Sequence, residues 1–329
     1  MTIFAVNLKS IWFFLLALLI AAQCQAAPLP TPTPSPAPPT PTPLLIPPIP
    51  IGDGSDLLDR LLANGVLRVG IRVWPEANFS PPAFRGFSNA ETGGALNGFE
   101  VDLARHIAEG LGLELELVEG YPPALSSGDW RGQWDIAIAS LVPFDPSPDQ
   151  PSNPLVFSKP YGYMPMGLLS LATATEVTAL RSIAGQPVGV LADSAYQRLL
   201  LPGGTALTVQ QKPLLPQRPA DVQPVPLANL QKAIRQMGQP ELDAEFQGEL
   251  LFGPGPIFEE AVKSGLPLKW VKIGVQPLAV AAVPVDNLKV ERLMLEINKI
   301  LARLHRQGTL AEIYLKWYGQ DFSRPEEGR

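Results

Sequence analysis

The 329-residue chain has one cysteine, Cys24, and two histidines, His106 and His305. A single cysteine excludes a disulfide framework and any multi-cysteine zinc or iron–sulfur site. Two histidines so far apart give no histidine-rich metal site, and no metal is expected. Basic residues are also few: 25 Lys and Arg stand against 31 Asp and Glu, for a net charge of −6. That balance excludes the basic face a nucleic-acid binder presents. The chain has no phosphate loop, no Gly-x-Ser-x-Gly elbow, no paired zinc ligands and no nucleophile–base pair. It is therefore expected not to be an enzyme and to carry no cofactor. Charged residues make up only 17%, but 46% apolar content is enough to bury a core.

What the chain does have is proline, 38 residues of it, unevenly spread. Twelve lie within residues 28–50 (PLPTPTPSPAPPTPTPLLIPPIP). Such a tract donates few backbone hydrogen bonds and favours polyproline II. At ~3.1 Å per residue it would reach roughly 70 Å. It reads as a stalk or a disordered spacer over residues 27–51. Before it, Ile11–Ala22 is an unbroken apolar run (IWFFLLALLIAA). Its length is that of a signal-peptide core and too short to span a bilayer comfortably. Residues 1–26 are expected to be a signal peptide, and the protein to be exported to the periplasm or cell surface. Cys24 sits where a lipidated cysteine would, although Gln23 before it is not the small residue a lipobox requires. Cleavage after Ala26 is the competing reading.

From about residue 52, strand and helix patterns alternate. Leu57–Asn64 reads as a helix stopped by Gly65, and Val66–Val73 as a β-branched strand. Val101–Leu111 has helical spacing, Leu113–Val118 alternates as a half-wet strand, and Asp135–Leu141 is an apolar strand. Gln186–Leu191 is a further strand, followed by a helix opened by Asp193–Ser194 and running through Leu200. Leu278–Val285 is a strand. Leu288–His305 and Leu310–Tyr318 are amphipathic helices separated by Gly308. The alternation predicts an α/β architecture, and about 275 residues is long for one doubly wound sheet, so two lobes are expected. Leu201–Leu227 breaks the rhythm with prolines and reads as an ordered loop insertion or a mobile flap.

Several segments, in order, resemble the family 3 extracellular solute-binding proteins, the amino-acid-binding components of ABC importers. They are LRVGIRVWPEANFSPPAF (Leu67–Phe84), LNGFEVDLA (Leu96–Ala104), LSSGDWRGQWDIAIASL (Leu125–Leu141), FSKPY (Phe157–Tyr161), IAGQPVGVL (Ile183–Leu191) and NKILARLHRQGTLAEIYLKWYG (Asn298–Gly319). The second carries the family's glycine–aromatic–acid–x–Asp–Leu signature, with Glu100 where Asp is commoner. The resemblance implies a two-lobe periplasmic-binding-protein-like (type II) fold with a central cleft and two crossover strands. Lobe 1 would comprise 52–164 and 276–329, and lobe 2 residues 165–275, including the insertion 201–227. It also implies a monomer that takes a small-molecule ligand and presents it to an ABC permease in the membrane.

In that family an Arg forks the ligand carboxylate, a lobe-2 Asp takes the ammonium, and aromatics sandwich the side chain. The Arg is absent here: Val142–Val156 (VPFDPSPDQPSNPLV) contains no Arg, Lys or Thr. The Asp is absent too, because Gly253 or Pro254 stands in its place; Asp243 and Glu245, a few residues earlier, are the candidate substitutes. Ser140 survives at a ligand-contacting position, and Leu191 matches a cleft-lining one. Ser194 holds the first hydroxyl position of the helix-opening loop, Ala195 the second, and Asp193 replaces the usual Gly. Asp193 reads more readily as a helix cap than as a ligand contact. Arg72 stands where many relatives place an acid, and Arg85 follows the aromatic loop. Either would replace the lost Arg, or both are surface cations. Phe79, Phe84 and Tyr121 fall near the aromatic clamp positions, whereas Trp74 is less certain and Trp134 is expected to pack.

The leading expectation is an exported protein capturing a small polar solute, an amino acid or related compound. The alternatives are a sensory binding module with a degenerate cleft and a dehydratase-like enzyme using Glu76 or Asp145.

Overall fold

The computed structural model describes residues 49–86, 94–145, 154–175, 183–203, 207–215, 221–239, 246 and 248–325, all within one unit, Ile46–Arg329. The apolar run 11–22, Cys24 and all but the end of the proline tract lie outside the described residues, as do Asp243 and Glu245. Among the described residues no helix is long and apolar enough to cross a membrane.

Two five-stranded sheets organise the chain. The first has the order β4-β1-β5-β14-β6, built from β4 (Glu114–Glu119), β1 (Val66–Ile71), β5 (Ile136–Ala137), β14 (Ala281–Ala282) and β6 (Val156–Phe157). The second has the order β11-β8-β12-β7-β13, from β11 (Gln223–Leu227), β8 (Pro187–Leu191), β12 (Leu250–Pro254), β7 (Gly162–Leu171) and β13 (Leu268–Leu278). β1 runs parallel to β4 and β5, and β8 parallel to β11 and β12. The chain enters the second sheet through β7 and leaves it through β13. These long strands pair antiparallel from Gly162↔Leu278 to Leu171↔Leu268, through Met164↔Gln276. This is the mixed α/β, two-lobe architecture expected from the sequence.

Helices cover both sheets for reasons visible locally. Helix α1 (Leu57–Asn64) begins at Asp56, whose side chain accepts the Leu58 amide, and ends at Gly65 in the left-handed region at φ 76°. Asp59 within it accepts the Gly52 amide at 2.7 Å and pairs with Arg292, fastening the start of the domain to α7 (Glu291–Gln307). Helix α2 (Phe99–Leu111) buries Phe99, Val101, Leu103, Ile107 and Leu111. Phe99 stacks on Tyr314 of α8 (Thr309–Tyr318) with ring centroids 4.1 Å apart. Asp102 accepts from Lys316 Nζ at 2.6 Å and Trp317 Nε1 at 2.8 Å, tying α2 to α8. These ties place the N-terminus of α2 and the end of α8 beside β7.

The structure revises three expected elements. The expected strand Asp135–Leu141 contracts to Ile136–Ala137, because the chain turns sharply at Ser140, φ 50°. The expected strand Leu278–Val285 splits: its first residue ends β13 and β14 holds two more. The proline-rich segment 201–227 is not wholly a loop. It contains an antiparallel hairpin, β9 (Thr208–Val209) and β10 (Lys212–Pro213), and ends in β11. β11 carries Pro224 and Pro226 because it is an edge strand, with one side free of ladder bonds.

Trp134 packs as expected, 2% exposed and 5.8 Å from Trp130. It lies so close to β1 that a Cβ on Gly70 would sit 2.7 Å from the indole. Gly70→Ala is therefore expected to lower stability by about 1–3 kcal/mol, the usual cost of overpacking. Chemical denaturation checks this, and an unchanged midpoint would contradict the close approach.

Candidate functional site

The carboxyl ends of β1, β5, β8 and β12 meet at one cavity of ≈ 860 Å³, its mouth included. Strand ends converging on a crevice are where α/β sheets place ligands. β1 delivers Arg72, and the turn after β5 delivers Ser140, Leu141 and Val142. β8 ends at Leu191, and the loop beyond it supplies Asp193 and Ser194. Met164 of β7 and Gln276 of β13 line the cavity from the crossing strands, and Tyr318 from the end of α8. Most of the remaining wall is apolar, with Trp74, Phe144, Leu155, Phe157 and Ile257 among it.

Glu100 is the acid at the heart of this wall, 1% exposed in the first turn of α2. Its Oε1 accepts from the Ser140 amide at 2.5 Å, Ser140 Oγ at 2.7 Å and Tyr161 Oη at 3.4 Å. Two of those bonds hold Ser140 in the left-handed region, which a non-glycine residue enters only at a cost. Its Oε2 has no partner among the described residues. Burial raises the carboxyl pKa from 4.5 to about 7, against the bonds from Ser140 and Tyr161 and the attraction of Arg72.

Arg72 is the cation. Its guanidinium donates to the Ala192 carbonyl at 2.8 Å and the Asp193 carbonyl at 3.3 Å, linking the two sheets' loops. Burial lowers its pKa to about 10, with Asp193 and Glu100 pulling the other way. The two bonds leave further N–H donors of its fork for an anion. Arg198, whose pKa burial also lowers, lies over the Phe144 ring at 4.7 Å.

The loop after β8 corrects one expectation. Ser194, not Asp193, caps α4 (Ala195–Leu200): its side chain accepts from the Gln197 amide and donates to the Leu191 carbonyl at 2.5 Å. Asp193 takes φ 53° and donates its own amide to Gln197 Oε1 at 2.7 Å.

Of the residues singled out in the sequence, the structure gathers Arg72, Trp74, Ser140, Leu191, Asp193 and Ser194 around the cavity. Four others lie off it. Phe79, at φ 64°, packs with Trp74 against the core of the second sheet. Phe84 meets Trp317 edge-on at 5.9 Å. Arg85 pairs with Glu119 at 2.8 Å on the surface, so it reads as a surface cation. Tyr121 is 69% exposed. Glu76 and Asp145, the acids an enzyme would use, also lie off the cavity wall and are engaged elsewhere. Glu76 pairs with Arg235 of α5 (Leu230–Gly238) and accepts from Asn229 Nδ2 at 2.9 Å. Asp145 accepts from Thr208 Oγ1 at 2.6 Å and the amides of Gln210 and Gln211 at the hairpin tip. Both contacts, like that of Arg72, bridge residues near the first sheet to residues of the second part. The sequence marks Glu100 only as the acid of the signature, and gives no signal for Gln276 and Tyr318 as site residues.

The buried carboxyl gives a pH dependence of known sign. Its folded-state pKa lies above the unfolded value, so its contribution to stability is full below about pH 4.5 and lost as pH rises through about 7. The shift corresponds to about 3 kcal/mol. Glu100→Gln is expected to flatten this part of the melting-temperature profile. Parallel wild-type and variant profiles between those pH values would contradict it.

Three comparisons bear on this geometry. A Haemophilus influenzae protein named "Probable amino-acid ABC transporter-binding protein" is 23% identical over 270 residues, covering 82% of this chain and 91% of that protein. A solved structure of an ancestral arginine-binding protein bound to glutamine is 24% identical with TM-score 0.55, covering 78% of this chain and 99% of that one. An ancestral amino acid-binding protein described as a precursor of cyclohexadienyl dehydratase is 21% identical with TM-score 0.58, covering 79% and 99%. The two structural likenesses show that this chain shares the fold of those binding proteins. The model of the bacterial extracellular solute-binding proteins, family 3, matches residues 71–320, and so takes in Arg72, Glu100, Ser140 and the whole cavity wall. The chain thus belongs to family 3 of the bacterial extracellular solute-binding proteins.

Proposed function

We propose that the protein captures an amino acid with an apolar side chain and hands it to the permease of an ABC importer. The observation that carries this reading is the half-buried Arg72 guanidinium set in a mostly apolar cavity. A half-buried guanidinium with unused donors favours a carboxylate, which it can meet with paired N–H bonds. The apolar wall then suits a hydrocarbon or aromatic side chain. The family's usual Arg is missing between Val142 and Val156, and Arg72 supplies the charge from the end of β1 instead. The amino-acid specificity and the ABC partnership follow the names carried by relatives such as the Haemophilus protein.

The same proposal places the protein outside the cytoplasm as a monomer. The apolar run 11–22 directs export and the proline tract provides a stalk, with Cys24 either lipidated or removed by cleavage after Ala26. It functions by binding, with no reaction at the cleft. Ligand would draw the lobes together about β7 and β13, adding to the contacts of Arg72, Glu76 and Asp145 across the cleft.

A thermal-shift series tests the specificity. A ligand that binds only the folded protein raises its melting temperature by mass action. L-Leucine and L-phenylalanine are expected to raise it, and dicarboxylates and simple amines to raise it less. Arg72→Met is expected to weaken amino-acid binding by roughly tenfold or more, the value of a charge-assisted hydrogen bond. Unchanged affinity in Arg72→Met, or no response to any amino acid, would overturn the proposal.

A further inference from the structure

Three buried polar atoms in the cavity wall have no hydrogen-bond partner among the described residues: Glu100 Oε2, Gln276 Oε1 and Tyr318 Oη. Their residues are 1%, 1% and 6% exposed. A buried polar atom left unpaired is costly, and native structures rarely tolerate several on one wall without a use for them. They come from α2, β13 and α8, three elements that converge where the sheets meet. Gln276 Nε2 donates to Tyr196 Oη at 2.6 Å, which commits that end of the amide and leaves its carbonyl oxygen for another donor. Glu100, Gln276 and Tyr318 all line the same cavity.

All three atoms can accept a hydrogen bond, and one belongs to a carboxylate. Arg72 and Glu100 attract one another through the protein yet form no ion pair among the described residues. Two opposite charges, Glu100 buried and Arg72 half-buried, unpaired with one another, leave a place that a zwitterion matches: its carboxylate at Arg72 and its cation at the acid. Resting on the amino-acid reading above, we infer that Glu100, Gln276 and Tyr318 form the receptor for the ligand's primary ammonium group, with Glu100 Oε2 taking the charge. An ammonium has three N–H donors, and the wall offers three acceptors. This set would do the work of the missing lobe-2 Asp from the opposite lobe and the crossing strand.

The acid's own chemistry adds a pH signature. The titratable groups facing Glu100 are Arg72 after β1, Tyr161 before β7, and Tyr314 and Tyr318 on α8. The tyrosines and Arg72 do not titrate below pH 8, since burial holds the phenols above their usual range and Arg72 at about 10. Glu100, with its pKa near 7, is the one that does. Protonating it removes the charge that the ammonium needs, so ammonium recognition weakens as pH falls through that value.

Calorimetric titration of the full chain with matched probes tests the inference. L-Leucine is compared with 4-methylpentanoate, which lacks the ammonium, and L-phenylalanine with 3-phenylpropanoate. At about pH 8 each amino acid is expected to bind at least roughly tenfold tighter than its des-amino analogue, as a charged hydrogen bond gives. That advantage shrinks at about pH 6. Glu100→Gln abolishes it. Tyr318→Phe, which removes an oxygen with no partner in the free protein, keeps the melting temperature and narrows the advantage. The advantage is read as the ratio of the two affinities within each variant. An advantage that persists in both variants, or that is equal at the two pH values, overturns the ammonium receptor. So does equal binding of each amino acid and its analogue, which leaves the carboxylate reading standing. If neither series binds, the amino-acid reading falls and this inference with it.

Discussion

The structure turns on a half-satisfied carboxyl. Glu100 uses one oxygen to accept the amide and hydroxyl of Ser140, and these bonds hold Ser140 in a left-handed turn. That turn ends β5 after two residues and swings Leu141 and Val142 into the cavity wall. The carboxyl is itself held by the packing of α2 against α8, through Phe99 on Tyr314 and Asp102 on Lys316 and Trp317. Burying an acid this deeply is unfavourable unless it is neutral or paired. The fold accepts that cost and leaves the second oxygen without a partner among the described residues.

Around that acid, contacts among the described residues join the two sheets in several places besides the crossing strands. Arg72 reaches the carbonyls after β8, the segment after β1 holds α5 through Glu76, and Asp145 grips the β9–β10 hairpin. The hairpin is suited to be gripped because Gln210 and Gln211 both take positive φ, turning their amides toward one carboxylate. Each contact is a modest set of partly exposed bonds. Together they define a cleft whose walls already touch, with the charged groups of Arg72 and Glu100 set apart inside it. A solute that satisfies both would add to those contacts rather than replace them.

Much of this is legible in the sequence, and the reasons for the rest are physical. Helix boundaries follow from Asp56 and Gly65 at α1 and from Gly308 between α7 and α8, where caps act locally. The crossing of the chain between sheets follows from family resemblance, not from periodicity, because a crossing strand has no pattern of its own. Arg72 is identifiable because its charge stands at a strand end in a chain with few cations. The aromatics Phe79, Phe84 and Tyr121 mislead: a proline-rich loop after a strand is near the cleft, but tertiary packing turns Phe79 and Phe84 to other partners and leaves Tyr121 in solvent. Gln276 and Tyr318 are invisible in sequence because their importance lies in a bond not made, which only the arrangement of neighbours reveals. The strand expected over 135–141 fails because Ser140's turn is imposed from 40 residues away.

The central claim is that a buried acid waits in the cleft for a cationic group, and carbon-detected NMR of the Glu100 side-chain carboxyl tests it most directly. In the ligand-free protein this carboxyl is expected to titrate near pH 7, well above an ordinary Glu, and on saturation with L-leucine to move to a lower pH. A carboxyl that titrates near 4.5 in the free protein, or that leucine leaves unmoved, would contradict the account.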